Sequence, residues 1–162
     1  MDTPAGSRNK YKYDPELRLF RLGRMLPQGA VFPYDFGFIP GTCAPDGDPL
    51  DVMVLGMAPS FPGCLATARL LGVLRARQVE HRQWVRNDRL IAAAETPVNQ
   101  SAFAKGLRSV GREQLRAIAH FFESYNRFQG REFQVTGRGN ARAAAAVVTE
   151  GIEQYNRTTR SR

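Results

Sequence analysis

"FIPGTCAPDGDPLDVMVLG", from Phe38 to Gly56, sets three carboxylates, Asp46, Asp48 and Asp51, within six residues just ahead of a strongly apolar run. Acids this close repel one another. The third of them opens "VMVL", a segment too apolar to stay outside a core, so Asp51 is drawn toward the interior and has to meet a cation. The run itself reads as a buried strand. The spacing fails as an EF-hand calcium loop, which needs glycine at its sixth position and glutamate at its twelfth, where Asp51 and Met57 stand. Gly47 and Pro49 are turn residues, and a solvated acidic turn with its acids capping backbone groups is the plain alternative. Hard oxygen ligands crowded beside a strand suit magnesium or manganese.

Outward from this stretch, the first two-thirds of the chain has the alternation of strands. "KYKYDPELRLFRLGRML" alternates about a turn at Asp14-Pro15, and "CLATARLLGVLRAR" and "DRLIAAAE" are further strand candidates. The last third has helical spacing. Leu115, Ile118, Ala119 and Phe122 share one face of "GREQLRAIAHFFESYNRF", and "NARAAAAVVTEGIEQYN" repeats the habit with Asn140 as its N-cap. Strands first and helices last predict an α+β domain, mainly β: a small barrel with two C-terminal helices packed on it. A chain of 162 residues with 43% hydrophobic content is expected to form a single domain over 1–162, with the tail from about 157 to 162 disordered.

The chain carries 23 Lys+Arg against 15 Asp+Glu, a net charge of +8. Nearly all of the positive charge is arginine, and a pI near 10.2 favours phosphate-bearing partners. An arginine-rich solvated surface explains the same numbers. The arginines are scattered, and neither an RNA-binding aromatic signature nor a helix-turn-helix pattern is present, so nucleic acid is not expected as a partner. No apolar run reaches the roughly 18 residues of a membrane helix, and the N-terminus lacks a signal-peptide core, so a cytoplasmic protein without membrane contact is expected. Cys43 and Cys64 form no CxxC pattern and are expected as reduced thiols. His81 lies in a polar stretch and His120 among apolar residues on a helix, and neither is assigned to chemistry.

"DGDPLDVMVL" resembles the signature of the soluble family I inorganic pyrophosphatases. The resemblance continues, in the family's order, through "GSRNKYKYD", "FPYDFGFIPGT", "FPGC", "LLGVL" and "AHFFESYN", and covers about residues 5 to 156. It implies a five-stranded barrel of the oligonucleotide/oligosaccharide-binding (OB) type with appended helices, and magnesium-dependent hydrolysis of pyrophosphate to two phosphates by a homo-oligomer, often a hexamer. Carried across by match, Asp46 and Asp51 stand at metal-ligand positions. Asp48 stands nearest the attacking water, as general base. Lys10, Arg24 and Tyr125 fall at phosphate-holding positions, and Arg89 stands where the family usually has lysine.

The departures from that pattern are specific. Lys12 replaces a carboxylate, Phe32 and Phe36 stand where two tyrosines are expected, and Asn126 stands in place of a lysine. Gln78 and Asn87 take the positions of two acids around the longer, basic "QVEHRQWVRND". Asp88 is one residue off, and a slip of one residue in a strand reverses the face. Removing acids from a site that gathers divalent cations predicts fewer magnesium ions, at most one per chain, and strongly reduced activity. The alternative is a catalytically inactive homologue that binds phosphate or pyrophosphate. The same replacements make the site more positive, so Lys10, Lys12, Arg24 and Arg89 are expected to converge on an anion unless the acids pair with them internally.

Overall fold

Turn residues and alternation resolve into eight strands, three α-helices and a short 3-10 helix at Gly106–Ser109 among the described residues, which in this computed structural model are 1–160. In chain order the strands and α-helices are β1 (Asn9–Asp14), β2 (Leu19–Met25), β3 (Asp35–Phe38), β4 (Asp51–Leu55), β5 (Ala68–Glu80), β6 (Gln83–Arg86), β7 (Arg89–Ala94), α1 (Pro97–Ala102), α2 (Arg112–Arg127), β8 (Phe133–Asn140) and α3 (Ala141–Arg160). The turn expected at Asp14-Pro15 is there: Asp14 Oδ1 accepts from the amides of Glu16 and Leu17, both at 3.0 Å, and β1 and β2 pair antiparallel as a separate two-stranded sheet.

The main sheet is built on the long strand β5. Its first half pairs with β7 and its far end with β6, so that β6 and β7 follow one another along the same edge, while β8 occupies the other edge. β7 runs parallel to β4, and β4 pairs antiparallel with β3. The order across the sheet is therefore β3, β4, β7, β5, β8, the five strand positions and C-terminal helices expected of the OB-like form. The ring, however, is not closed by strand pairing. The outer side of the four-residue β3 is taken by the N-terminal segment, where Thr3 bridges to Phe36, and not by β8.

Between β6 and β7 the ladder is interrupted at Asn87-Asp88. The Asn87 amide donates to the Ala76 carbonyl at 2.9 Å, and the Ala76 amide is received by the Asp88 side chain, Oδ1, at 2.9 Å. A carboxylate thus stands in for a missing backbone acceptor, which buried amides require.

The two faces of the sheet bury different helices. Met53, Leu55, Leu74, Ile91 and Ala93 pack against Leu115, Ile118 and Phe122 of α2. Val52, Val54, Val73, Leu90 and Ala92 pack against Ala144 and Val147 of α3. The spacing of the buried positions on α2 is the one expected, and the Asn140 side chain caps α3 by accepting from the Ala143 amide at 3.0 Å. The tail expected to be disordered from about 157 continues α3 to Arg160, and 161–162 lie outside the described residues. No helix among the described residues is long and apolar enough to cross a membrane. Cys43 and Cys64 are free thiols.

Candidate active site

The acids stand on a tightly bonded turn. Ala44-Pro45-Asp46-Gly47 closes through the Gly47 amide on the Ala44 carbonyl at 2.9 Å, with Pro45 presetting the second position of the turn. Gly47 has φ 85°, a left-handed conformation that costs glycine nothing. The Ala44 amide then donates to the Asp48 carbonyl at 2.7 Å, and Asp46 Oδ1 accepts the Asp48 amide at 3.2 Å. Further back, Thr42 Oγ1 accepts from the Leu50 amide at 3.0 Å, and the Cys43 amide donates to the Gly151 carbonyl of α3 at 2.9 Å. The loop that carries the acids is thereby anchored to α3.

Strand register supplies the cation that Asp51 was expected to meet. Asp51 and Arg89 open the parallel neighbours β4 and β7, whose first matched pair is Val52 with Leu90, so the two side chains start level with each other. Arg89 Nη1 lies 2.7 Å from Asp51 Oδ2. The Arg89 side chain is buried, with its guanidinium 5.6 Å from the ring centre of Phe122 and 5.2 Å from that of Phe133, and its Nε has no hydrogen-bond partner. Arg89 Nη1 also donates to Asn87 Oδ1, and Asn87 Nδ2 donates to Asp46 Oδ2 at 2.9 Å. A continuous chain, Asp51–Arg89–Asn87–Asp46, results. Burial is the main cause raising the Asp46 carboxyl above its ordinary value; the Asp48 amide pulls it down and the neighbouring acids push it up.

The β1–β2 hairpin contributes the remaining cations. Lys10 and Arg24 are cross-strand partners, and Arg24 is exposed. Lys10 Nζ sits 2.8 Å from Asp2 Oδ2 and 4.4 Å from the centre of the Phe36 ring. Lys12 Nζ reaches Asp48 Oδ1 at 3.2 Å in an exposed pair, 69% and 64% accessible. Tyr125 of α2 lies against Phe32, with ring centres 5.4 Å apart. Burial is the largest effect on its hydroxyl and raises its pKa, and Asp51, Arg24 and Arg89 all act on it electrostatically.

Asp2 is the site residue that the sequence reading missed. It is 5% exposed, held by Lys10, and its carboxyl is raised chiefly by burial and further by the charge of Asp51. Its Oδ1 is buried without a hydrogen-bond partner. Nothing local in "MDTP" announces this placement, because it follows from the long-range bridge between Thr3 and Phe36.

The replaced positions have definite surroundings. Phe32 and Phe36 are buried in the aromatic core beside α2. Asn126 is turned into its own helix, with Nδ2 donating to the Phe122 carbonyl at 2.8 Å, and so stands apart from the acids. Gln78 is buried and donates to Glu80 at 2.6 Å. Asp88, one residue from Asn87, faces away from the acids: its carboxylate meets Arg86 at 3.4 Å and Arg75 at 3.8 Å. The one-residue slip that would bring Asp88 to the loop is excluded by the ladder around Ala76.

Of the two arrangements expected for these cations, convergence on an anion or internal pairing with acids, the pairs present here are internal. Lys10 holds the buried Asp2, and Lys12 and Arg89 hold Asp48 and Asp51, whose mutual repulsion these cations relieve. The same contacts test a metal cluster. Asp46 Oδ2 faces an N–H donor, Asp51 Oδ2 a guanidinium and Asp48 an ammonium, and among the described residues no three His, Cys, Asp or Glu side chains converge. The residues as placed do not fit a cluster of several divalent ions.

Fold and site together define a class: a mixed five-position sheet with acids and cations interleaved at the end of two parallel strands, a constellation suited to highly charged phosphoryl compounds. A profile of the inorganic pyrophosphatase family matches residues 1–156. The chain is 36% identical over 155 residues to an inorganic pyrophosphatase of Synechocystis, covering 96% of this chain and 89% of that one. It is 37% identical to one of Nostoc over the same length and with the same coverage. The crystal structure of the inorganic pyrophosphatase from Thermus thermophilus superposes with a TM-score of 0.86 at 33% identity, covering 96% of this chain and 88% of that one. The chain belongs to the inorganic pyrophosphatase family.

Proposed function

We propose that this protein hydrolyses inorganic pyrophosphate to two phosphates, with magnesium, at strongly reduced turnover. The observation that carries the reading is the gathering of Asp46, Asp48, Asp51, Lys10 and Arg89 at one end of the sheet, in a chain that matches the family over residues 1–156. In this reading Lys10, Arg24, Arg89 and Tyr125 hold the phosphoryl oxygens. The Nε of Arg89 supports such a role as a donor that no group of the chain accepts from. Asp48 takes a proton from the attacking water; the water oxygen bonds to one phosphorus as the bond from that phosphorus to the bridging oxygen breaks.

The reduced rate follows from the replacements. Lys12 sits on the carboxylate assigned as base, and Phe32 and Phe36 offer no hydroxyl. Each missing transition-state donor of this kind costs about 10²-fold in rate. Magnesium occupancy in this reading is at most one ion per chain. Copies of the chain assemble into a homo-oligomer, a hexamer by family resemblance. Phosphate release with magnesium, measured beside an ordinary pyrophosphatase at matched concentration, tests the proposal: slow, protein-dependent release supports it. Diphosphate binding with no release at all supports the second reading, an inactive pyrophosphate-binding homologue, which the Lys12–Asp48 contact favours. Neither binding nor release removes both.

A further inference from the structure

The acids of the turn differ in how firmly their partners are held. Arg89 is 6% exposed and packed over two aromatic rings, so it cannot leave Asp51 for water. Its hydrogen bond to Asn87 Oδ1 also fixes which end of that amide faces the turn, and the end presented to Asp46 is the NH₂ group. Asp46 therefore has a donor on each oxygen: the Asp48 amide on one and Asn87 on the other. Only the Lys12–Asp48 pair is exposed, and exposed pairs exchange readily. Magnesium and manganese give up bound water only for charged or strongly polar oxygens with free lone pairs, and an NH₂ group pointing at the same carboxylate repels them.

We infer that Arg89 and Lys12 are built-in counter-ions of the acidic turn and Asn87 its built-in hydrogen-bond donor, and that without diphosphate the turn is not a divalent-metal site. The amide at position 87, oriented by Arg89, decides the matter. With an acid at 87, two carboxylates would face each other, and the turn would need a cation where it now has a hydrogen bond. Metal affinity is thus set by the partners of Asp46 and Asp48 rather than by the three acids themselves. The inference rests on the pyrophosphatase reading for the identity of the site, and is tested apart from it.

The probe is Mn²⁺ alone, titrated into the chelator-treated full chain by calorimetry and by the loss of free-ion paramagnetic signal. The wild type is expected to show no saturable binding below millimolar metal. Asn87→Asp is expected to bind Mn²⁺ at least about tenfold more tightly, and Asn87→Asp with Lys12→Glu more tightly still. Thermal melting of each variant verifies that it is folded, and Asn87→Gln, which keeps the amide, should behave as the wild type. Saturable Mn²⁺ binding by the wild type that Asn87→Asp does not improve overturns the inference, as does the absence of binding in folded variants. Phosphate release read on the same samples separates the two claims. Tight metal binding by an active wild type defeats only the counter-ion inference, whereas the expected metal series without hydrolysis in any variant defeats only the pyrophosphatase activity.

Discussion

Asp46 is the residue where burial and charge oppose each other most directly, and this sets a pH dependence. Its carboxyl is raised above 3.8, so over a window just above that value the folded chain keeps a proton there that the unfolded chain has released. Stability from this group is complete below 3.8 and falls as pH rises through the higher folded value. Asp2 has the same sign. In Asp46→Asn the group no longer titrates, so unfolding free energies taken across the window should shift in the variant's favour as pH rises, from a baseline lowered by about 1 kcal/mol for the lost hydrogen bond from Asn87 Nδ2. A difference that stays flat with pH would mean that Asn87 and the turn compensate the buried charge fully. Activity gives a second test at this scale. The triple change Lys12→Glu, Gln78→Asp and Asn87→Asp should raise magnesium-dependent phosphate release; a folded triple variant with no gain would assign the loss to the missing hydroxyls at Phe32 and Phe36 and the missing lysine at Asn126, or to an alignment that does not hold across 79–88. Most of these residues are legible in the sequence because they lie inside or beside the "DGDPLD" and "RNKY" motifs, where local order fixes neighbours. Asp2 is not, since only a long-range bridge brings it in, and the direction of Asp88 depends on a gap in the ladder that spacing alone does not reveal.

At the level of elements, the site depends on how α3 seats the loop before β4. Gly151 lies against that loop so closely that a Cβ built there would stand 2.5 Å from Leu50 Cδ1 and 3.4 Å from Thr42 Cβ. Gly151→Ala should therefore destabilise the fold by about 1–3 kcal/mol despite better helix propensity, read as a lower denaturant midpoint with unchanged slope. A gain in stability would show that Leu50 can rotate away, and that the helix does not hold the loop. The strands around long apolar runs, β4, β5 and β7, and the helix α2 are legible from periodicity because burial on one or both faces dictates it. β3, β6 and β8 are not: β3 is four residues long, β6 is an exposed extension, and β8, "FQVTGRGN", carries two glycines that blur alternation. Closure of the sheet was equally out of reach, because which segment covers the edge of β3 is a matter of topology and not of pattern.

For the whole molecule, the apolar surface left in a single copy bears on assembly. A cavity of about 600 Å³ beside β4 is lined by Met1, Phe38, Ile39, Val52, Cys64 and Leu65, and Leu65 is 87% exposed. Contiguous apolar surface of this kind marks an interface more often than a solvated wall. Light scattering should give a mass of several chains, and Leu65→Asp should lower it; a monomeric wild type would remove the oligomer from the proposed function. One further consequence concerns how sequences of this shape can vary in length. The Asp88 carboxylate pins the ladder at Ala76 on the site side of the β5–β6 hairpin, so everything from Arg77 to Arg86 lies beyond a fixed point. Residues added to or removed from that hairpin in pairs, one per strand, leave Asn87 and Arg89 in phase with Asp46 and Asp51. A single insertion on one strand is taken up beyond that point as a bulge or a longer loop, so the tip of this hairpin can change length while the site keeps its register.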